Sequence, residues 1–203
     1  MSETPYEVIA GPLEVWVGPT GESFPDVNDT PTGNWTKVGT SGVRTISEDG
    51  VTITHPQTVE VARSAGSTGP IKAWRTEEEL HIAFSLLDLS PEEYARALNG
   101  NSVETVAAGV GTSGVKQLGL SRGRTVAQVA LLLRGTDMSS EGSDLNCQYE
   151  FPRAVEQGEP ELAYVKGAPV MIGLEYQIIE DPDATSEDER FGRYVVQTEE
   201  PGT

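Results

Sequence analysis

The chain has 203 residues, with 14 basic residues against 32 acidic ones and a formal net charge of −18 at pH 7. This length accommodates one domain with a substantial core, and the charge argues against ordinary nucleic-acid binding, which depends on neutralising phosphates. Its one cysteine, Cys147, excludes an intrachain disulfide and a thiolate metal cluster. No secretory signal is recognisable and no apolar run is long enough to span a bilayer, so we expect a soluble protein without membrane contact.

The first fifty residues predict short strands separated by turns. Apolar and polar residues alternate over 13–17, which indicates a strand, and short strands are expected at 35–39 and 43–46. Between them, residues 18–34 are rich in Pro and Gly and predict an irregular loop. Asp49-Gly50 is typical of a hairpin turn, because both residue types adopt positive φ at low cost.

Two long alternating strands, at 51–61 and 79–86, predict a hairpin in which Val59, Val61, Leu80, Ile82 and Phe84 face the core. The segment between them, 63–75, is far longer than an ordinary hairpin loop. We therefore expect it to touch a neighbouring subunit and to become ordered on assembly. Candidate subunit-interface residues are the basic and aromatic ones, which would meet carboxylates and bury one anchor: Arg63, Lys72, Trp74 and Arg75.

A single helix is predicted at 90–99, with Ser90 as N-cap, Pro91 at its first position, Glu93 completing a capping box and Asn99 near its end. Further strands are expected at 115–120, 126–134, 145–151, 170–179 and 191–196. Residues 180–189 predict an exposed acidic loop, and 199–203 a frayed end. The pattern indicates one mainly β domain over 1–203, a β-sandwich or barrel with one short packed helix.

The chain carries no signature that predicts an enzyme. Residues 109–114 (GVGTSG) match a dinucleotide-binding glycine pattern but lack the preceding strand and following helix, so a flexible loop is favoured. Asp181 and Asp183 lack the Gly and Glu that a calcium loop requires. His55, His81 and Cys147 belong to no nucleophile or metal motif. We therefore predict no catalytic residue, no cofactor and no metal site.

Four segments resemble the major tail tube protein of long-tailed, siphovirus-like bacteriophages: 11–17 (GPLEVWV), 48–55 (EDGVTITH), 63–79 and 87–99 (LDLSPEEYARALN). The resemblance covers about residues 10–100. It implies a β-sandwich closed by a helix, assembled as stacked homohexameric rings around a channel through which DNA passes. It also implies a place in the virion tail, assembly in the host cytoplasm, and contacts with tape-measure, terminator and baseplate proteins.

The polar phase of the long hairpin predicts a face toward an aqueous channel. On this interpretation Glu60, Glu77 and Glu79 line the lumen, where carboxylates repel phosphate so that DNA slides without binding. The alternative is that this face is simply outer surface. Two other functions stay open: another ring-forming tail component, such as a tail terminator or distal tail protein, and a ligand-binding β-barrel.

Overall fold

The computed structural model describes residues 8–39, 41–142 and 144–199. It is mainly β, with antiparallel strands and one short helix arranged as a β-sandwich, which confirms the predicted fold class. The strands are β1 Glu14–Pro19, β2 Thr36–Lys37, β3 Ile46–Thr54, β4 Gln57–Arg63, β5 Pro70–Glu78, β6 Leu80–Leu86, β7 Val103–Val106, β8 Val115–Leu118, β9 Gln128–Gly135, β10 Cys147–Glu156, β11 Ile172–Ile178 and β12 Arg193–Val196; the helix is α1 Pro91–Ala97.

One large sheet forms the body, in the order β2-β1-β9-β10-β11-β6-β3, with β12 paired beside β10. Strand β10 serves both layers of the sandwich. Its first half pairs with β12, and its last residues, Ala154 to Glu156, pair with β11. Two separate hairpins, β4–β5 and β7–β8, extend from this body.

The core follows directly from the alternation of apolar residues. Every second residue of β6 and β11 is buried, and the ladder sets Ile82 beside Tyr176 and Phe84 beside Leu174. Burying each such side chain contributes roughly 1.5–3 kcal/mol. Strand β9 is apolar without alternation because both its faces are covered: Leu131 and Leu133 join the main core, while Leu132 packs with Trp35 outside it.

Side chains of β9 and β10 hold the 18–34 excursion against the outer face of the sheet. The buried Arg134 guanidinium donates to the backbone carbonyls of Asp26 and Asp29, and Gln148 Nε2 donates to the Pro25 carbonyl (3.0 Å). The irregular loop predicted at 18–34 therefore packs over β9.

Helix α1 is capped as predicted, since Ser90 Oγ accepts a hydrogen bond from the Glu93 N–H (3.3 Å). The reciprocal half of the capping box does not form: the Ser90 N–H donates to Asp88 Oδ1 (2.9 Å), and the Glu93 carboxylate accepts from Arg96 Nε (2.9 Å). Ala97 and Leu98 are buried against the body. Seven residues are too few for a helix to be stable alone, so this packing maintains it.

Several local predictions were wrong. The strand expected at 35–39 shrinks to the two residues of β2, and Gly42–Thr45 forms a 3-10 helix where a strand was expected. Asp49-Gly50 makes no hairpin turn: it lies within β3, where the pairing with β6 shifts register between Ile46 and Val51. Gly50 takes φ 70° there, so the positive-φ signal marks a β-bulge.

Candidate assembly interface

The long hairpin is one ladder that leaves the sandwich and continues outward. Strands β3 and β6 pair up to Thr54 and His81; the Glu79 N–H then donates to the Pro56 carbonyl (3.0 Å), and β4 and β5 continue the pairing. We call the Gln57–Glu78 hairpin the arm. The predicted loop over 63–75 was too long, because β5 already begins at Pro70 and only 64–69 form the tip.

The arm is exposed on both faces. Its large apolar side chains are 49% (Val59), 42% (Val61), 62% (Ile71) and 46% (Trp74) accessible. The prediction that Val59 and Val61 face the core was wrong, because the ladder has passed the end of the sandwich before it reaches them. Strands β4 and β5 pack chiefly against each other. The arm is thus a two-stranded ribbon with unburied apolar surface.

The pairing register divides the predicted interface residues between the two faces of the arm. Val59 and Val61 lie opposite Arg75 and Ala73, and Glu60 lies opposite Trp74, so the valines and the tryptophan point to opposite sides. Further out, Ala62 is paired with Lys72, which therefore shares the tryptophan face. Both faces thus carry apolar surface and a cation.

The four predicted interface residues differ in the contacts that they make within the chain. Arg63 and Lys72 are exposed near the tip and make no ion pair among the described residues. Arg75 is already bound at the base of the arm, donating to Gln57 Oε1 (2.9 Å) and to Glu78 Oε2 (3.3 Å). Arg63 and Lys72 are therefore the cations left available for a partner.

The base of the arm contains an ion cluster that sequence reasoning missed. Arg190 donates to Glu78 Oε2 (2.8 Å) and also pairs with Glu180 and Glu187. The hydrogen bond from Arg190 is the main cause of the lowered pKa of the Glu78 carboxyl. This cluster holds the acidic loop predicted at 180–189 beside the base of the arm. In the sequence it could have been inferred only from Arg190, a single cation that follows many acidic residues.

The three predicted lumen carboxylates lie along the same hairpin but not at one place. Glu60 and Glu77 are exposed on the arm, on the face of Trp74, and Glu77 accepts from Thr58 Oγ1 (3.0 Å). Glu79 is exposed where the arm meets the body, and its Oε2 lies 2.9 Å from His81 Nε2.

The outer face of the sheet formed by β3, β6 and β11 is polar. It presents the side chains that alternate with the core residues: Thr52, Thr54, His81, Ser85, Glu175 and Gln177. His81 lies between carboxylates, with Nδ1 3.5 Å from Glu175 Oε1. The polar phase predicted from the sequence is therefore solvent-facing on the body as well as on the arm.

The glycine-rich stretch 109–114 lies in a second hairpin. Strands β7 and β8 pair from Val103–Leu118 to Val106–Val115, and a bridge between Gly109 and Thr112 closes the tip. Strand β7 was not predicted. The glycines are therefore preceded by strand β7 and followed by strand β8.

The described part of the chain contains no group of three or more His, Cys, Asp or Glu residues arranged to hold a metal ion. Cys147 is buried, and burial raises the pKa of its thiol. Across the same residues, none of the helices has the length and apolar character needed to cross a membrane. No protein-family model and no curated protein matches the chain.

Proposed function

We propose that this chain is a structural virion protein that self-assembles as stacked homohexameric rings into the tail tube of a long-tailed bacteriophage. The resemblance of its first hundred residues to major tail tube proteins suggests this function. The arm is the observation that carries it, because its two strands pack chiefly against each other and leave four large apolar side chains exposed.

The physical argument is that the arm requires a partner. An isolated two-stranded hairpin is marginally stable in water, and it becomes stable when a face is buried or an edge is paired. A strand edge left open is also a site for pairing with another chain, and assembly of identical subunits satisfies it. Burial of the arm by a neighbouring copy would therefore stabilise both the arm and the ring.

The charge of the chain fits a channel for DNA. With a net charge of −18, an assembled tube presents carboxylates wherever polar surface remains, including the exposed Glu60, Glu77 and Glu79. Such a lining repels phosphate and lets DNA pass without specific binding. On this proposal the subunit acts in the virion without catalysis or cofactor. It assembles in the host cytoplasm, and its other partners are tape-measure, terminator and baseplate proteins.

The test is to shorten the arm without disturbing the body. Replacing residues 60–74 with Asn-Gly would close a two-residue turn on the paired Val59 and Arg75. We expect the shortened chain to unfold at an unchanged temperature and to remain monomeric. The unmodified chain should sediment as rings or tubes and show filaments by negative-stain microscopy.

Tyr164→Ser supplies a matched control, because Tyr164 is an exposed aromatic residue outside the arm (73% accessible). This variant should assemble like the unmodified chain. Normal tubes from the shortened chain would overturn the proposal. Single rings that never stack would favour a tail terminator or distal tail protein. A compact monomer that binds a small apolar molecule would favour a ligand-binding β-barrel.

A further inference from the structure

An open cleft runs along one side of the sandwich, between β3 of one layer and the start of β10 with β12 in the other. We call this cleft the seam. It has a volume of about 650 Å³, and its lining includes Met138 and Tyr194 together with three side chains that pack against the main core: Leu13, Val51 and Tyr149. A second cleft of about 420 Å³ continues from it past Ile53 and Leu80. The seam therefore exposes the edge of the main core.

Two strand edges border the seam. Among the described residues, β3 pairs only with β6 and β12 only with β10, so one backbone edge of each strand has no partner strand. Unpaired edges beside exposed apolar side chains are typical acceptors for an added strand, with the backbone supplying hydrogen bonds and the side chains supplying pockets.

The rim of the seam is acidic. Glu48 and Asp49 are both exposed, at the bulge of β3, and among the described residues no lysine or arginine lines this cleft. An occupant that carries apolar residues followed by a cation would therefore match both its surface and its charge.

Strand β4 of the arm has this pattern. Val59, Val61 and Arg63 belong to one phase of the strand; the two valines are exposed, and Arg63 has no ion pair among the described residues. We propose that the seam is the acceptor for the arm of a second copy. In this arrangement β4 pairs with the free edge of β3, and Arg63 meets Glu48 and Asp49. The inference rests on the proposed assembly of this chain and names the surface that it uses.

The arm cannot reach the seam of its own chain. The hairpin is a continuous ladder from Ile46 outward, so Arg63 lies some fourteen residues beyond Asp49 along the same direction, about 46 Å at the rise of a β-strand. The contact is therefore between copies. It is also heterologous, because one surface gives the arm and a different one receives it, and such contacts build rings or open filaments.

The lengths of the strands are also compatible with pairing between the arm of one copy and β3 of another. Strand β4 has seven residues, β5 has nine, and β3 has nine, so an arm strand laid along β3 covers most of its free edge. Pairing of that extent joins the two sheets into one and removes the apolar surface of both partners from water.

The experiment is a charge exchange across the contact. Glu48→Lys with Asp49→Lys reverses the rim of the seam at two exposed positions, and Arg63→Glu reverses the arm. We expect each change alone to raise the critical concentration for assembly, measured by sedimentation, about tenfold or more. The chain that carries all three substitutions should assemble again near the original concentration, because the opposite charges then face each other.

Glu104→Lys with Asp183→Lys is the matched control, since it makes the same change in net charge at two exposed positions that do not line the seam or the clefts beside it. This control should assemble normally. Thermal melts of all variants should coincide, which separates loss of assembly from loss of folding.

The outcomes distinguish the two proposals. If the shortened arm abolishes assembly but the Glu48→Lys, Asp49→Lys chain assembles normally, the seam is not the acceptor, while the proposed function stands. If no restoration follows the combined substitutions, direct contact between Arg63 and this rim is overturned. Normal assembly of the seam variant together with tight binding of a hydrophobic dye would make the seam a ligand cleft instead.

Discussion

Asn99 supports a sharp prediction about how the body is held together. It follows helix α1 with φ 66°, a backbone conformation that asparagine and glycine adopt at lowest cost. Its side chain bonds three backbone groups of the segment that leads into β9: Nδ2 donates to the carbonyls of Arg122 (3.0 Å) and Thr125 (2.8 Å), and Oδ1 accepts from the Ala127 N–H (2.5 Å).

Replacing Asn99 with Ala removes all three hydrogen bonds and places a Cβ-bearing residue without a polar side chain at positive φ. At about 0.5–1.5 kcal/mol for each bond, reduced because the site is partly exposed, the bonds contribute roughly 1.5–3 kcal/mol. The backbone conformation adds about 1 kcal/mol. We expect Asn99→Ala to lower the free energy of unfolding by about 2.5–4 kcal/mol.

Asn99→Gly separates the two causes, because glycine loses the same hydrogen bonds but accepts the backbone conformation. It should be about 1 kcal/mol more stable than Asn99→Ala. Both values come from urea denaturation followed by tryptophan fluorescence, with equal m-values as the check on two-state behaviour. A loss below 1 kcal/mol in Asn99→Ala would refute the view that this side chain anchors the approach to β9.

Two further predictions concern the helix and a buried carboxyl. Leu98→Ala should lower the free energy of unfolding by about 2–5 kcal/mol because Leu98 is buried against the body, whereas Ser90→Ala should cost about 1 kcal/mol through the lost cap; a neutral Leu98→Ala in a denaturant melt would contradict this packing. Burial raises the pKa of the Glu156 carboxyl above its ordinary 4.5, against the opposing charge of Arg122 3.7 Å away, so the folded state retains this proton longer than the unfolded state and stability falls as pH rises through that interval. Glu156→Gln should remove this part of the slope and gain stability relative to the parent chain as the pH rises above 4.5; parallel pH profiles would contradict it.

Elements whose alternation or end signals are local could be predicted from the sequence. Strand β11 has apolar residues at every second position, and Ser90 with Pro91 marks the start of a helix, so both were predictable from backbone periodicity and capping chemistry. These features depend on neighbours only a few positions away, and a sequence records such neighbours directly.

The point at which the long hairpin leaves the body depends on tertiary contacts. Val59 and Val61 alternate with polar residues as core residues do, yet both are exposed. Alternation shows only that one face of a strand is apolar. Such a face can be buried in the core of its own chain or in a contact with another subunit. Residues 70–75 were predicted to be part of a loop because their partner strand lies across the tip, and the pairing with β4 makes them part of strand β5.

Non-local contacts explain the remaining differences. Asp49-Gly50 became a bulge because β6 continues to pair on both sides of it, which overrides the turn preference. Arg190 binds Glu78 although 112 residues separate them in the sequence. The seam exists because β3 and β12 border it without pairing with each other. Sequence determines which faces must be covered; the packing of distant strands decides whether the chain itself or another copy covers them.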